Sequence, residues 1–300
     1  MASTDAIAYP NRRQTISCKL RDYYTLTKPE VNLLILMTTS AGYYLGARGT
    51  FRWLGLVNTL VGTLLVASGT ATLNQFMERA HDARMRRTAN RPLASGRLSS
   101  VEALAFGLLL SVAGGVYLAL AVNWLTAALG VFTLLTYLLV YTPLKRKTHL
   151  CTLLGAIPGA MPTLIGWAGA GYGLNRGAWF LFAVLFLWQF PHFLAIALMY
   201  REDYASAGFK MLPDFDREGR FTRAEIIGFT VVLIVTTMLP IASRTSSAPY
   251  LLAMAATGLF FLYYGAKLAT STSRSAASRL VHASVIYLPV VLGAMMVCKA

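Results

Sequence analysis

The feature that most restricts this chain is a succession of nine apolar stretches, each close to the ~20 residues a helix needs to cross a bilayer. They run over about 30–47, 53–76, 101–121, 124–143, 150–170, 178–200, 225–243, 248–268 and 279–298. The third and fourth are parted only at Val122-Asn123-Trp124. Gly62, Gly69, Pro158, Pro162, Pro191, Pro240 and Pro289 fall inside these stretches, where neighbouring helices can repair the freed backbone bonds. The pattern predicts one all-α, polytopic membrane domain of nine transmembrane helices over 29–300, preceded by a short arm at 1–28.

Composition agrees. The chain is 56% hydrophobic and 13% charged, against roughly 25% charged in soluble domains, which excludes a water-soluble globule. A net charge of +15 is compatible in itself with nucleic-acid binding. The basic residues, however, sit in short segments between apolar runs, so the lipid bilayer is the expected partner and nucleic acid is not. Cys18, Cys151 and Cys298 are too scattered for a disulfide framework or a zinc site.

If the stretches alternate in direction, twenty-two of the 27 Lys and Arg fall on one side. Only Arg48, Arg52, Arg176, Arg244 and Lys299 fall on the other. The positive-inside rule makes the first side cytoplasmic, with the N-terminus inside and the C-terminus outside. All 12 Asp and Glu also lie on or next to that side, which the rule does not require. The first stretch is too long for a signal-peptide core, and Asp5 and Asp22 speak against a mitochondrial presequence.

The sharpest constellation stands where the second stretch reaches the cytoplasm. Asn74, Glu78 and Asp82 are spaced i, i+4, i+8, on one face of a helix over roughly 12 Å. Two carboxylates and an amide oxygen form a hard-oxygen set suited to Mg²⁺, which shares its shell with water and substrate phosphate. A solvated helix end, with Arg79 and Arg84 balancing the acids, explains the spacing alone equally well. A second acidic element, Tyr200-Arg201-Glu202-Asp203, ends the sixth stretch at the same side. The basic runs 84–91 and 145–147 lie between them in sequence. Acid for metal and cation for phosphate, at the mouth of an apolar bundle, point to a ligand with a diphosphate head and a hydrocarbon tail.

The row Asn74, Glu78, Asp82, followed by Met85-Arg86-Arg87-Thr88 and Asn90-Arg91-Pro92-Leu93, resembles the first aspartate-rich motif of the UbiA superfamily of intramembrane prenyltransferases, most closely its heme-farnesylating branch. Supporting stretches are 26–29, Tyr141-Thr142-Pro143-Leu144-Lys145-Arg146, 187–197 and 203–213, so the likeness runs from about 23 to 225. Glu78 stands where many members have Asp. Ala207 stands where quinone-type members place another aspartate, leaving Asp203 as the clear carboxylate of the second motif.

The resemblance implies a bundle around a lateral, lipid-open cavity in the bacterial cytoplasmic membrane. It also implies transfer of farnesyl from farnesyl diphosphate to a vinyl group of heme B, with water completing the product. On that basis Asn74, Glu78, Asp82 and Asp203 are the catalytic, Mg²⁺-holding set. Arg86, Arg91 and Lys145, with Lys210 as a further candidate, take the free phosphate oxygens. Tyr141 and Tyr200 belong to the substrate site, and loops at about 83–100 and 201–224 are expected lids. A heme A synthase or terminal-oxidase assembly proteins are the implied protein partners. His192, an intramembrane His next to Pro191, is a candidate heme ligand; a structural bond to a carbonyl freed by the proline kink is the equal alternative. His282 is a weaker candidate, and His81 and His149 are not expected as ligands.

Rival expectations remain at this level. A prenyltransferase for a quinone precursor shares the acidic motifs. A transporter predicts charge at the bilayer midplane, and a non-catalytic heme or oxidase assembly factor predicts binding without turnover.

Overall fold

The computed structural model describes residues 16–216, 218–239, 247–271 and 273–299. Residues 1–15 of the expected arm, with Asp5, Arg12 and Arg13, lie outside the described residues. So do Arg217, Arg244 and the end of the seventh stretch with Pro240.

Among the described residues all regular elements are helical: α1 (Ile16–Leu26), α2 (Pro29–Gly46), α3 (Trp53–Asp82), α4 (Ser100–Ala121) and α5 (Trp124–Leu135). α5 runs through a π-helical segment (Thr136–Tyr141) into α6 (Thr142–Leu144). Then come α7 (Cys151–Gly169), α8 (Arg176–Met199), the short α9 (Arg201–Ser206) and α10 (Leu212–Phe215), α11 (Arg220–Met238), α12 (Ala248–Thr270) and α13 (Arg274–Val297).

Eight spans among the described residues are long and apolar enough to cross a membrane, the α5–α6 unit counting as one. The first expected stretch is α2, whose 18 residues fall outside that set. Its Asn32, Thr38 and Thr39 are buried, and Asn32 donates to Ser68 Oγ at 2.9 Å, so the polar side of α2 faces the bundle. The same sense recurs elsewhere among the described residues. Thr72, Asn74 and Gln75 are at most 1% exposed, while Leu109 and Leu120 on α4 are 66% and 82% exposed. That arrangement suits a hydrocarbon solvent and would be unstable in water.

Two boundaries differ from expectation. α11 starts at Arg220 and not near 225, because Asp216 Oδ2 accepts the Thr222 N–H at 2.7 Å and caps the first turn. α13 starts at Arg274 and not near 279, with Ser273 Oγ accepting the Ala276 N–H.

Close backbone approach holds α2 against α7. A Cβ on Gly42 would collide with the carbonyl oxygen of Thr163, and one on Gly166 with that of Thr39. At the end of the bundle where α3 stops, α1 clamps the turn-rich segment 83–99. Leu26 packs with Leu93, Leu98 and Ala103, Arg97 Nε pairs with Asp22 at 3.0 Å, and Lys19 pairs with Glu102. Ser99 and Glu102 close a reciprocal cap on α4.

Candidate functional site

α3 continues unbroken to Asp82, so Asn74, Glu78 and Asp82 do form one helical row, and all three are buried. Each is met by one cation from a different segment. Lys28 Nζ donates to Asn74 Oδ1 at 3.1 Å, Lys145 Nζ to Glu78 Oε1 at 3.1 Å, and Arg91 Nη1 to Asp82 Oδ2 at 2.7 Å. Asp82 Oδ1 is buried and has no hydrogen-bond partner among the described residues. A buried carboxylate oxygen left without a donor is costly, and it is the kind of atom a metal ion or an ordered water satisfies.

Local geometry explains how the cations arrive. Lys28 is the one described non-glycine residue with positive φ, 51°, a left-handed turn immediately before Pro29. That conformation is strained for a residue with a Cβ, and it turns the side chain back onto the end of α3. Burial, and then the charges of Arg91 and Lys145, push the Lys28 ammonium down to about 7. Lys145 is placed by the π-helical segment, whose wide turn closes with the Thr142 N–H on Tyr137 O. Such insertions recur at functional sites. Thr142 Oγ1 accepts from Asn74 Nδ2 at 3.2 Å, tying this turn to the acidic row. Lys145 Nζ then sits 4.4 Å from the centroid of the Tyr141 ring, with Tyr137 and Phe209 each at 5.9 Å. Lys210 contributes its backbone: its N–H donates to Lys145 O at 2.7 Å.

Asp203, Tyr200 and Arg86 do not join the row. They line a separate half-open cavity of about 610 Å³, together with Arg87, Arg201, Glu202 and Arg274. Asp203 Oδ2 accepts the Arg87 N–H at 3.3 Å. Among the described residues no three His, Cys, Asp or Glu side chains are grouped to hold a metal ion. The grouped oxygens are those of Asn74, Glu78 and Asp82 on α3, and Asp203 stands apart from them.

His192 does not bond a carbonyl of its own helix. Its Nδ1 lies 2.6 Å from Ser284 Oγ on α13, and its ring stacks on Trp188 at 4.7 Å. His282 is exposed and bonds Ser278 O. His81 bridges Ala207 O and Arg146, and His149 stacks on Phe215.

Lys28, Thr142, Arg87, Arg274 and Ser284 were not among the expected site residues. Lys28 carried a signal, a basic residue before a proline at the start of an apolar stretch. The others are placed by helix pairings between distant segments.

The UbiA prenyltransferase family matches residues 35–287. A protoheme IX farnesyltransferase of Solibacter usitatus is 49% identical over 286 residues, 92% of this chain and 98% of the relative. Among solved structures, digeranylgeranylglyceryl phosphate synthase superposes with a TM-score of 0.76 at 20% identity, over 94% of this chain and 98% of its own. A UbiA homologue from Archaeoglobus fulgidus bound to GPP and Mg²⁺ gives 0.67 at 16% identity, over 91% and 99%. The structural likeness carries the fold, and the sequence likeness carries the family.

Proposed function

This chain belongs to the UbiA prenyltransferase family, and from that premise we propose that it transfers the farnesyl group of farnesyl diphosphate to a vinyl group of heme B, releasing diphosphate. The observation that carries the donor half is the row Asn74, Glu78, Asp82 with one cation on each member and one bare oxygen on Asp82. The acceptor half rests on the farnesyltransferase relative, which matches 92% of the chain.

The donor set fits Mg²⁺: two carboxylates and an amide in a row, with an unpartnered buried oxygen among them. Asn74, Glu78 and Asp82 would hold the ion, Asp203 being the further candidate, and its contribution is to neutralise the diphosphate leaving group. The chain's own cations do the rest. Lys145 and Arg91, now resting on Glu78 and Asp82, lie where an anion entering between them takes their N–H groups, and Lys28 closes the third side. Arg86 and Lys210 stand on the adjoining segments. Stabilised in this way, the diphosphate departs with the electron pair of the carbon–oxygen bond and leaves an allylic cation.

The vinyl π pair of heme B then forms the new carbon–carbon bond. The charge this leaves beside the porphyrin is captured by water, which loses a proton to give a hydroxyethylfarnesyl group. Early water would convert the farnesyl cation to farnesol, so the site must close first. The segments 83–100 and 201–224 are the proposed lids over it, and Tyr137, Tyr141 and Phe209 form an aromatic wall around Lys145.

The protein is a multi-pass membrane protein. Its proposed setting is the bacterial cytoplasmic membrane with the N-terminus inside, its product passing to a heme A synthase or to oxidase assembly proteins. Presenting purified protein with equal heme B and a hydroxybenzoate, alongside farnesyl diphosphate and Mg²⁺, tests the acceptor. Consumption of heme B alone is expected, and prenylation of the hydroxybenzoate instead would overturn the heme assignment while keeping the family.

A further inference from the structure

Four guanidinium groups, those of Arg86, Arg87, Arg201 and Arg274, line the cavity of about 610 Å³ beside the acidic row. Among the described residues none of them has a carboxylate within ion-pair distance, whereas Arg91 and Lys145 are both paired. Two of the four are held in place by a single ring. Arg87 lies 4.8 Å and Arg274 5.7 Å from the centroid of Tyr200, and Arg87 Nη2 also donates to the Tyr204 hydroxyl at 3.2 Å. Glu202 and Asp203 share the wall, and Asp203 accepts from the Arg87 backbone. Unpaired arginines fixed by aromatic rings form a recognition surface for planar anions such as carboxylates.

A second observation lies on the same pair of helices. Ser284 Oγ is 2.6 Å from Val281 O. A carbonyl oxygen only accepts, so the serine proton points there. At 2.6 Å from His192 Nδ1 the serine oxygen must then accept. The ring proton therefore sits on Nδ1, and Nε2 keeps its lone pair, the form in which imidazole binds iron. No described protein group bonds Nε2. Trp188, stacked on His192, donates its Nε1–H to Ser284 O at 2.9 Å and fixes the ring plane.

The two features adjoin along α8 and α13. His192 and Met199 are seven residues apart on α8, two turns or roughly 10 Å along the axis, and Met199 and Tyr200 line the cavity. On α13, Arg274 and Ser284 lie on one stripe at positions 274, 277, 281 and 284. That axial separation is comparable to the reach from the iron of a porphyrin to its carboxylate arms. Resting on the acceptor proposed above, we infer that heme B is held at two points along α8: its iron by His192 Nε2, presented by Ser284, and its two carboxylates by Arg87 and Arg274. Ser284 is a positioning residue, and the two arginines determine acceptor specificity.

The test uses full-length protein in nanodiscs of phosphatidylcholine, with heme B or its dimethyl ester as acceptor and Arg87→Gln, Arg274→Gln, Ser284→Ala, Ser284→Thr and His192→Ala as variants. For the arginine variants the KM for heme B should rise about tenfold, the loss of a charge-assisted contact, with the KM for farnesyl diphosphate unchanged. The wild type should show the same penalty with the ester, and the variants no further one. Equal use of ester and acid by the wild type overturns the carboxylate site. A raised KM for farnesyl diphosphate assigns the arginines to the diphosphate and overturns it too, as does an effect seen only in anionic lipid. In the heme absorption spectrum Ser284→Ala should move toward His192→Ala, and Ser284→Thr should match the wild type. A His192→Ala spectrum like the wild type removes the iron contact, and an unmoved Ser284→Ala spectrum removes the role of Ser284. Absence of heme turnover by the wild type counts against the proposed reaction itself, while binding and spectra still decide the two-point site.

Discussion

The ammonium of Lys145 lies 3.1 Å from Glu78 Oε1, and the two side chains are only 11% and 7% exposed. Removing one member leaves the other charge buried, at a cost of about 3–5 kcal/mol. Lys145→Met should therefore lower thermal stability markedly, and Glu78→Gln combined with Lys145→Met should recover most of the loss. Turnover should not recover with it, because both groups are proposed to serve the diphosphate. Unfolding and activity of the two single variants and the double check this, and simply additive losses would show the pair to be uncoupled.

Asp82 commits Oδ2 to Arg91 and leaves Oδ1 bare. Asp82→Asn should lower kcat/KM by about a hundredfold, the scale of losing one electrostatic stabiliser, and extra Mg²⁺ should offset part of it. Arg91→Gln should chiefly raise the KM for farnesyl diphosphate. Steady-state kinetics across a Mg²⁺ series separates them. Unaltered kinetics in both would leave the row a buried, ion-paired helix end with a purely structural role.

Lys28 adopts a left-handed backbone at φ 51° while its ammonium reaches Asn74. Lys28→Gly relieves strain worth about 1 kcal/mol and deletes a cation from the site. The variant should be at least as stable as Lys28→Met in thermal unfolding. Both should need more farnesyl diphosphate. Equal substrate requirement in the wild type and both variants would exclude Lys28 from the donor site.

Twenty-two Lys and Arg against five predict that Asn90 and Glu218 face the cytoplasm and the α7–α8 connection faces outward. Gly173 is the better probe of that connection, since a Cβ there meets nothing within 4 Å, whereas Asn175 caps α8. In a chain stripped of native cysteines, Gly173→Cys should react with an impermeant reagent in intact cells. Reaction of Asn90→Cys or Glu218→Cys without Gly173→Cys would invert the orientation.

The bundle was legible because a bilayer demands runs of apolar residues, and the acidic row because i, i+4, i+8 spacing is local to α3. What sequence spacing could not carry is which cation meets which acid. Lys28 lies 46 residues from Asn74 and Lys145 67 residues from Glu78, and only the packed helices bring them together. Lys28 was visible as a basic residue before Pro29, but its left-handed turn was not. The π-helical segment has no composition of its own, since Thr136–Tyr141 reads as ordinary apolar helix. Arg274 and Ser284 lie in the last helix, where no motif stands out, and they acquire meaning only from α8 beside them. Asp203 shows the reverse: placed with the row by motif, it faces a different cavity.

Whether this chain farnesylates heme B is read from the mass of the product. Purified protein supplied with Mg²⁺, farnesyl diphosphate and heme B should yield a more hydrophobic heme, heavier by one farnesyl unit and one water, and Asp82→Asn should form it far more slowly. Heme B recovered unchanged, under conditions where the protein demonstrably binds farnesyl diphosphate, would rule out heme B as the acceptor.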